Sequence, residues 1–272
     1  MKTALRELSK IAYKKLPFAL NTPARRIFRA LINIYYLKVY PRLRASARNK
    51  ALANVSGKKT IRVVFLVIHK SVWKVDTVFI KMLKDPCFDP IILVCPYVQY
   101  GNQVMMEDLE SAYNYFTRKG FPVCCSYNKQ EDTWVALDEL KPDLLFFTNP
   151  HAITRKEYYY DAFKTYLSVY VPYYFMATDH AGDPFQQYTS PFLSSMFQIY
   201  WPSDYHLEQQ RKMTQNVVNN GIVCGYPAME PILNRSLHNN TVWKPQKKEK
   251  KKIIFAPHHT IDSGKKSLSS FL

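Results

Sequence analysis

From Thr60 onward the chain alternates between short apolar runs and stretches in which apolar residues recur at helical spacing. This alternation constrains the fold because a parallel strand pair needs a crossover segment, and helices that cover both faces of a sheet leave its strands apolar throughout. The sequence therefore predicts an α/β fold with a Rossmann-like parallel sheet over residues 60–235. The predicted strands are Ile61–Ile68, Pro90–Cys95, Phe121–Ser126, Asp143–Thr148, Leu167–Val171 and Phe197–Trp201, and the predicted helices are Val72–Leu83, Val104–Lys119, Lys156–Phe163 and His206–Val217.

The first 62 residues carry nearly all of the excess positive charge. They contain 16 of the 38 Lys and Arg residues and one of the 21 acids, Glu7, which gives this segment +15 of the net charge of +17. Its basic residues lie beside apolar residues at helical spacing, around residues 5–15 and again around residues 25–44. That pattern is typical of helices that lie on an anionic membrane surface. We therefore predict basic amphipathic helices that form a membrane-binding arm over residues 1–59.

Two other interpretations of the arm stay open. A basic segment also binds nucleic acid phosphates, or docks as a helix on its own domain. The apolar and aromatic residues favour the membrane, so nucleic acid is not a predicted partner. The apolar stretch at residues 30–37 is interrupted by Asn33 and is far shorter than the roughly 20 residues that span a bilayer, and no secretory signal is predicted. We expect a peripheral protein on the cytoplasmic face of the cell membrane.

The carboxyl-terminal part changes character after residue 235. Residues 236–252 are rich in Lys around Pro245, which is typical of an exposed linker. An apolar run then closes on Pro257, His258, His259 and Thr260, as at the first strand of another α/β domain. Because a domain needs about 100 residues to bury its own core, we expect residues 253–272 to be the start of an incomplete second lobe.

Several familiar site types are not predicted. The five cysteines lack CxxC spacing, so neither a disulfide framework nor a metal site is expected. The seven glycines form neither GxGxxG nor GxxxxGK[ST], and HExxH and GxSxG do not occur. We therefore predict no cofactor and no metal.

Polar residues follow the predicted strands at the edge where parallel sheets bind their ligands. His69, Lys70, Trp73 and Asp76 follow the first strand, and Asn149 and His151 follow the fourth. A histidine titrates near neutral pH, so His69 and His151 are candidate general bases for a hydroxyl group. The alternative role for each is a hydrogen-bonded group at the entry of a helix.

Two further edges carry candidate residues. Tyr173 follows the strand at residues 167–171, and beyond it His180 is a third candidate base beside Asp179. Gly225 and Tyr226 follow the apolar residues 222–224, where a glycine allows a tight turn or a close approach of backbone to ligand. The alternative role for the aromatic residues that follow residue 171 is packing in the core.

These edges resemble the CDP-glycerol glycerophosphotransferase family, whose members build teichoic-acid-like and capsular polymers. The resemblance covers about residues 60–265 in family order, through the segments Val67–Asp76, Phe146–His151, Val171–Tyr173, Gly225–Pro227 and Ala256–Ile261. It implies the N-terminal lobe of a GT-B fold, in which the first lobe binds a lipid-linked or polymer acceptor and the second holds the CDP-activated donor. It also implies a peripheral membrane enzyme. Well-known members carry a Trp-His-Gly run where this chain has residues 171–174 without a histidine, so the base stays open among His69, His151 and His180.

The predicted function is a transferase of the cell envelope that moves glycerol phosphate, or a related group, from a CDP-activated donor to a polymer or glycolipid hydroxyl. The predicted substrate contacts are Lys70, Trp73, Asp76, Asn149, Tyr173, Gly225 and Tyr226, and the predicted phosphate contacts are His258, His259 and Thr260. Two alternatives remain: a glycosyltransferase that uses sugar nucleotides on the same fold, and a non-catalytic membrane-docking remnant. In either transferase case the chain by itself is expected to be inactive.

Overall fold

A computed structural model describes residues 39–175, 188–234, 247–248 and 250–251. The chain separates into two compact units after Leu233, and the sheet domain lies in the first unit. The predictions for residues 1–38, His180 and residues 252–272 lie outside the described residues.

The domain is built on a parallel sheet of seven strands, which confirms the predicted α/β, Rossmann-like fold; from one edge to the other the strands are Val123–Cys125 (β3), Phe88–Val94 (β2), Ile61–Val67 (β1), Leu144–Phe147 (β6), Ser168–Tyr170 (β7), Gln198–Trp201 (β8) and Gly221–Val223 (β9). All six neighbouring strand pairs run parallel. A separate antiparallel pair, Tyr127–Asn128 (β4) and Thr133–Trp134 (β5), lies between β3 and β6 in sequence.

Helices cover both faces of the sheet. They are α1 Tyr40–Val55, α2 Asp76–Lys84, α3 Asn102–Arg118, α4 Tyr160–Thr165, α5 Pro191–Ser195, α6 Asp204–Thr214 and α7 Glu230–Leu233, and short 3-10 helices lie at Lys70–Val72, Leu137–Leu140, Lys156–Tyr158 and Pro227–Met229. In β1, Val63 and Phe65 pack with residues of α2 and α3, whereas Val64 and Leu66 pack with residues of α4 and α5. The side-chain period of two therefore places one core on each face of the central strand.

Helix α3 lies beside the candidate site described below, and its sequence specifies where it ends. Leu109, Ala112 and Phe116 are buried and recur at the spacing of one helix face. At its carboxyl end, the Phe121 amide donates to the Phe116 carbonyl and the Gly120 amide donates to the Thr117 carbonyl. This is the Schellman pattern, and Gly120 supplies the positive φ of 69° that it requires. The helix therefore ends at Arg118, and the chain turns toward β3, which begins at Val123.

The predicted elements exist, but three of the four predicted helices differ from their predicted bounds by more than two residues at one end. Between residues 72 and 76 the chain turns Trp73 into the core, so α2 begins at Asp76 rather than at Val72. Residues 156–158 form a 3-10 turn, and α4 follows from Tyr160. Helix α6 ends at Thr214 because Gln215 and Asn216 adopt positive φ angles, which an α-helix does not contain.

Helix α1 represents the last part of the predicted arm, and it contacts the sheet domain. The Tyr40 hydroxyl lies 2.9 Å from the Ser195 hydroxyl, and Arg44 Nη2 donates to the Phe163 carbonyl over 3.1 Å. For residues 40–55 the structure therefore shows the docked alternative, while the preceding residues lie outside the description. Across the described residues, none of the helices combines the length and the apolar character needed to cross a bilayer.

Candidate active site at the carboxyl edge of the sheet

The order of strands reverses its direction between β1 and β6. From β1 the chain steps outward to β2 and β3, and it then returns to β6 on the other side of β1 before it steps outward to β9. In open α/β sheets, ligands bind beyond the carboxyl ends of the strands at such a reversal. Leu66 of β1 is paired with Phe147 of β6, so the loops that begin at residues 68 and 148 leave the sheet side by side. His69 belongs to one of these loops and His151 to the other.

His69 is hydrogen-bonded through Nδ1 to the carboxylate of Asp108, a residue of α3. Because a carboxylate only accepts, we assign the Nδ1 proton to this bond, and in the neutral ring the lone pair is then on Nε2. The two side chains are 24% and 30% exposed, so both remain accessible. A histidine oriented by a carboxylate is the arrangement that enzymes use to accept a proton from a hydroxyl nucleophile. The pair can therefore act as a general base.

The loop after β1 is held on α3 by two side chains, His69 through Asp108 and Lys70 through Ser111. Lys70 Nζ donates to Ser111 Oγ over 2.8 Å, and Ser111 lies three residues after Asp108, on the same side of the helix. The Tyr97 ring meets the His69 ring edge to face, with centroids 4.6 Å apart. Partial burial, Tyr100 and Asp108 together raise the pKa of Tyr97, so its hydroxyl stays protonated. These contacts hold the His69 ring beside α3 at the carboxyl edge of the sheet.

His151 is held by a different set of contacts. Its backbone amide donates to Asn149 Oδ1 over 2.8 Å, which places Asn149 at the start of an Asx turn, and Asn149 is 6% exposed. His151 Nε2 lies 3.5 Å from the Tyr173 hydroxyl, at the limit of a hydrogen bond. Although the side chain reaches solvent, the surrounding protein desolvates it and lowers the pKa of His151. It is a second candidate base, and among the described residues its ring contacts Tyr173 rather than a carboxylate.

Aromatic residues extend this edge from β7 to β9. The Tyr226 hydroxyl donates to the Tyr173 carbonyl over 2.9 Å, and the Phe175 and Tyr226 rings lie 6.2 Å apart. Partial burial raises the pKa of both Tyr173 and Tyr226. Gly225 has a φ of 84°, a backbone conformation that favours glycine. The structure therefore brings Asn149, His151, Tyr173, Gly225 and Tyr226 to one edge.

Trp73 and Asp76 lie elsewhere. Trp73 is 6% exposed and packs against Phe65, Phe79 and Phe116, while its indole N–H donates to Asp76 over 2.6 Å. Asp76 also pairs with Lys119, at the end of α3. Lys119 follows Asp108 by 11 residues, which separates the two by about 16 Å along the helix axis at 1.5 Å per residue. Both residues therefore stabilise the packing of α2 on α3, at a distance from His69.

Other predicted site residues are not described. His180, His258, His259 and Thr260 lie outside the described residues. Among the side chains that the structure describes, His, Cys, Asp and Glu do not gather in groups of three that could hold a metal ion. Asp108 and Tyr97 were missed in the sequence. The available signal was that both lie in the segment after β2, the neighbour of β1.

Comparison with known proteins adds no relative. No protein-family model matches the chain, and no curated protein is significantly similar to it. The resemblance to the glycerophosphotransferases therefore stays a prediction from the motif residues, and the carboxyl-edge geometry is the independent information about function.

Proposed function

We propose that this domain is the N-terminal, acceptor-binding lobe of a membrane-associated transferase that moves glycerol phosphate, or a related group, from a CDP-activated donor to a hydroxyl of a cell-envelope polymer or glycolipid. The observation that carries the proposal is the His69–Asp108 pair at the strand-order reversal. Of the candidate bases that are described, His69 alone has a carboxylate on its ring among the described contacts.

The chemistry assigned to the pair is proton removal. Nε2 of His69 takes the proton of the acceptor hydroxyl while Asp108 stabilises the imidazolium that forms. The acceptor oxygen attacks the phosphorus that carries glycerol, and the bond from this phosphorus to the oxygen of the cytidylate breaks. CMP leaves with the bonding electrons, and His69 returns its proton to solvent. The proposal assigns to the second lobe the groups that stabilise the charge on the leaving phosphate, and His258 and His259 are the first candidates.

The membrane part of the proposal rests on charge. The arm before α1 contains Lys and Arg in large excess, and each basic residue near an anionic membrane contributes about 1 kcal/mol of attraction. Helix α1 contacts α4 and α5 through Arg44 and Tyr40. A lipid-linked acceptor on the same membrane would then be concentrated near the domain.

The test is an assay of CMP release by a protein that contains both proposed lobes, with CDP-glycerol and a lipid-linked acceptor. His69→Ala should lower turnover by roughly 100-fold or more with little change in donor affinity, as expected for a lost general base. Asp108→Asn should lower turnover by at least about tenfold, because the amide no longer stabilises the imidazolium. Asp161→Asn, at an exposed acid of α4, is the matched control and should retain activity.

Three outcomes would change the assignment. Full turnover in both His69→Ala and Asp108→Asn, with loss in His151→Ala, would move the base to His151. Use of a sugar nucleotide in place of CDP-glycerol would make the protein a glycosyltransferase on the same fold. Membrane binding without turnover on any donor would favour the docking remnant.

A further inference from the structure

A groove of about 450 Å³ lies at the opposite edge of the sheet, between α1 on one side and the end of α5 and the loop that precedes β9 on the other. One wall is formed by Arg44, Ala45 and Arg48, and the facing wall is formed by Ser194, Ser195, Val217, Val218, Asn219 and Asn220. Because its walls come from the amino-terminal side of β8 and β9, the groove is separate from the carboxyl-edge site.

One arginine of this wall, Arg44, is held in place by the sheet domain. Arg44 Nη2 donates to the Phe163 carbonyl over 3.1 Å, a contact with a carbonyl in the last turn of α4 that basic side chains favour. Arg44 Nε is buried and has no hydrogen-bond partner among the described residues. Arg48 follows by one helical turn on the same side of α1 and is exposed. Two guanidinium groups thus line one wall, and one of them has a buried N–H to satisfy.

The opposite wall supplies neutral polar groups. Two serines and two asparagines line it, and no acid is among the groove residues. Asn220 is 5% exposed and donates through Nδ2 to the Leu193 and Met196 carbonyls, so this wall is rigid. Among the described residues, the groove therefore combines net positive charge with hydroxyl and amide groups and contains no carboxylate.

We propose that this groove binds a phosphate-bearing polar group, either a soluble phosphate ester or the headgroup of an anionic lipid. Arg presents N–H groups in a planar fork that matches phosphate oxygens, and it is the residue that proteins favour for this ligand. The volume lies within the range of small-molecule sites and leaves room for a substituent beside the phosphate. The site does not depend on the transferase proposal, because it shares none of the residues of the carboxyl edge.

The test changes the charge of the groove without disturbing the core. Asn219 is exposed, so Asn219→Asp places a negative charge in the groove and leaves the packing intact. Asn216→Asp is the matched control, because Asn216 is exposed, lies three residues away and is not a groove residue. Calorimetric titration of the intact chain with glycerol 3-phosphate should show one site, weakened about tenfold or more by Asn219→Asp, which corresponds to 1.4 kcal/mol. Asn216→Asp should change the affinity by less than about twofold, within the usual effect of a distant exposed charge.

A second arm of the experiment separates the two sources of phosphate. Co-sedimentation with phosphatidylglycerol vesicles, and with phosphatidylcholine vesicles as the neutral comparison, is measured for wild type, Asn219→Asp, Asn216→Asp and Arg48→Gln. Selective weakening of vesicle binding by Asn219→Asp and Arg48→Gln supports a lipid headgroup as the ligand. Selective loss of glycerol 3-phosphate binding, with unchanged vesicle binding, supports a soluble ester. Equal behaviour of Asn219→Asp and Asn216→Asp toward both probes would overturn the proposal.

Discussion

Gly221 offers the sharpest test of the packing, because a side chain at this position has no room. A Cβ atom added to Gly221, the first residue of β9, would lie 2.1 Å from Gln210 Oε1 and 2.6 Å from Trp201 Nε1. These two atoms are hydrogen-bonded to each other over 2.7 Å, and neither residue is more than 1% exposed. Gln210 also donates to Asn220 over 2.8 Å. The Gly221→Ala substitution must therefore displace a buried polar network.

The expected cost combines three contributions. Overpacking a tight interior costs about 1–3 kcal/mol. Separating Trp201 from Gln210 leaves a buried indole donor unsatisfied, which costs about 1–3 kcal/mol more. The lower backbone entropy of Ala in the unfolded chain returns about 0.4–1 kcal/mol. We expect Gly221→Ala to lower the free energy of unfolding by about 3 kcal/mol, the middle of the sum of these contributions.

Urea unfolding of the intact chain measures this cost, with two comparisons. Gly57→Ala is the control for glycine itself: it meets nothing within 4 Å but has a φ of 82°, so it should cost only the conformational term of about 1–2 kcal/mol. In a Gln210→Ala background the collision with Oε1 is absent, so the additional cost of Gly221→Ala should fall by about 1 kcal/mol or more. A change of less than about 0.5 kcal/mol for Gly221→Ala alone, within the range of neutral surface substitutions, would refute the reasoning.

Three further predictions follow from the site and from the charge distribution. Burial lowers the pKa of His151, so the folded state binds this proton less readily than the unfolded chain, and the stability that is present above about pH 6.5 is lost as the pH falls through that value. In His151→Gln, the urea midpoint should therefore fall less between pH 7 and pH 5 than in the wild type. An identical fall in both proteins would contradict the assignment. Deletion of residues 1–38, which contain nine Lys and Arg residues, should abolish most salt-sensitive binding to anionic vesicles, and equal binding by the shortened chain would place the membrane contact in the domain. Calorimetry with CDP-glycerol should show weak binding or none by this chain, because the donor is assigned to the second lobe; micromolar affinity would move the donor site into the first.

The sheet could be predicted from sequence because its strands are buried on both faces. Runs such as Val63–Val67 and Leu144–Phe147 are apolar throughout, and this continuity distinguishes a central parallel strand from an exposed one. The ends of helices were less predictable. The start of α2 depends on the turn that buries Trp73 against α3, and this contact joins residues 43 positions apart in the chain. Apolar periodicity reports burial within one element and carries no information about such a turn.

The site was predictable in part, for a related reason. The carboxyl ends of parallel strands meet at one edge, so His69 and His151 could be selected from the sequence alone. Asp108 could not, because its approach to His69 depends on how α3 is rotated about its axis and how far it extends along the sheet. The network of Trp201, Gln210 and Asn220 was missed as well, since Gln and Asn are mostly exposed in proteins and their burial is decided by partners elsewhere in the chain.

The shape of the carboxyl edge limits what the described domain can contribute to catalysis. The cavity lined by Ile68, Asn149 and Thr154 at this edge is about 10 Å³, room for about one water molecule, while the side chains of His69 and Asp108 remain about a quarter exposed. Binding sites for small molecules cover about 70–90% of the ligand surface, and electrostatic stabilisation of a leaving phosphate is much stronger where water is excluded. In the proposed transferase, the described residues of this edge therefore supply the base and the carboxylate that orients it, and this cavity is too small to hold an acceptor. The proposed transfer then requires further residues that cover the acceptor, present the donor phosphorus to the activated oxygen, and exclude the water that otherwise competes for the phosphorus.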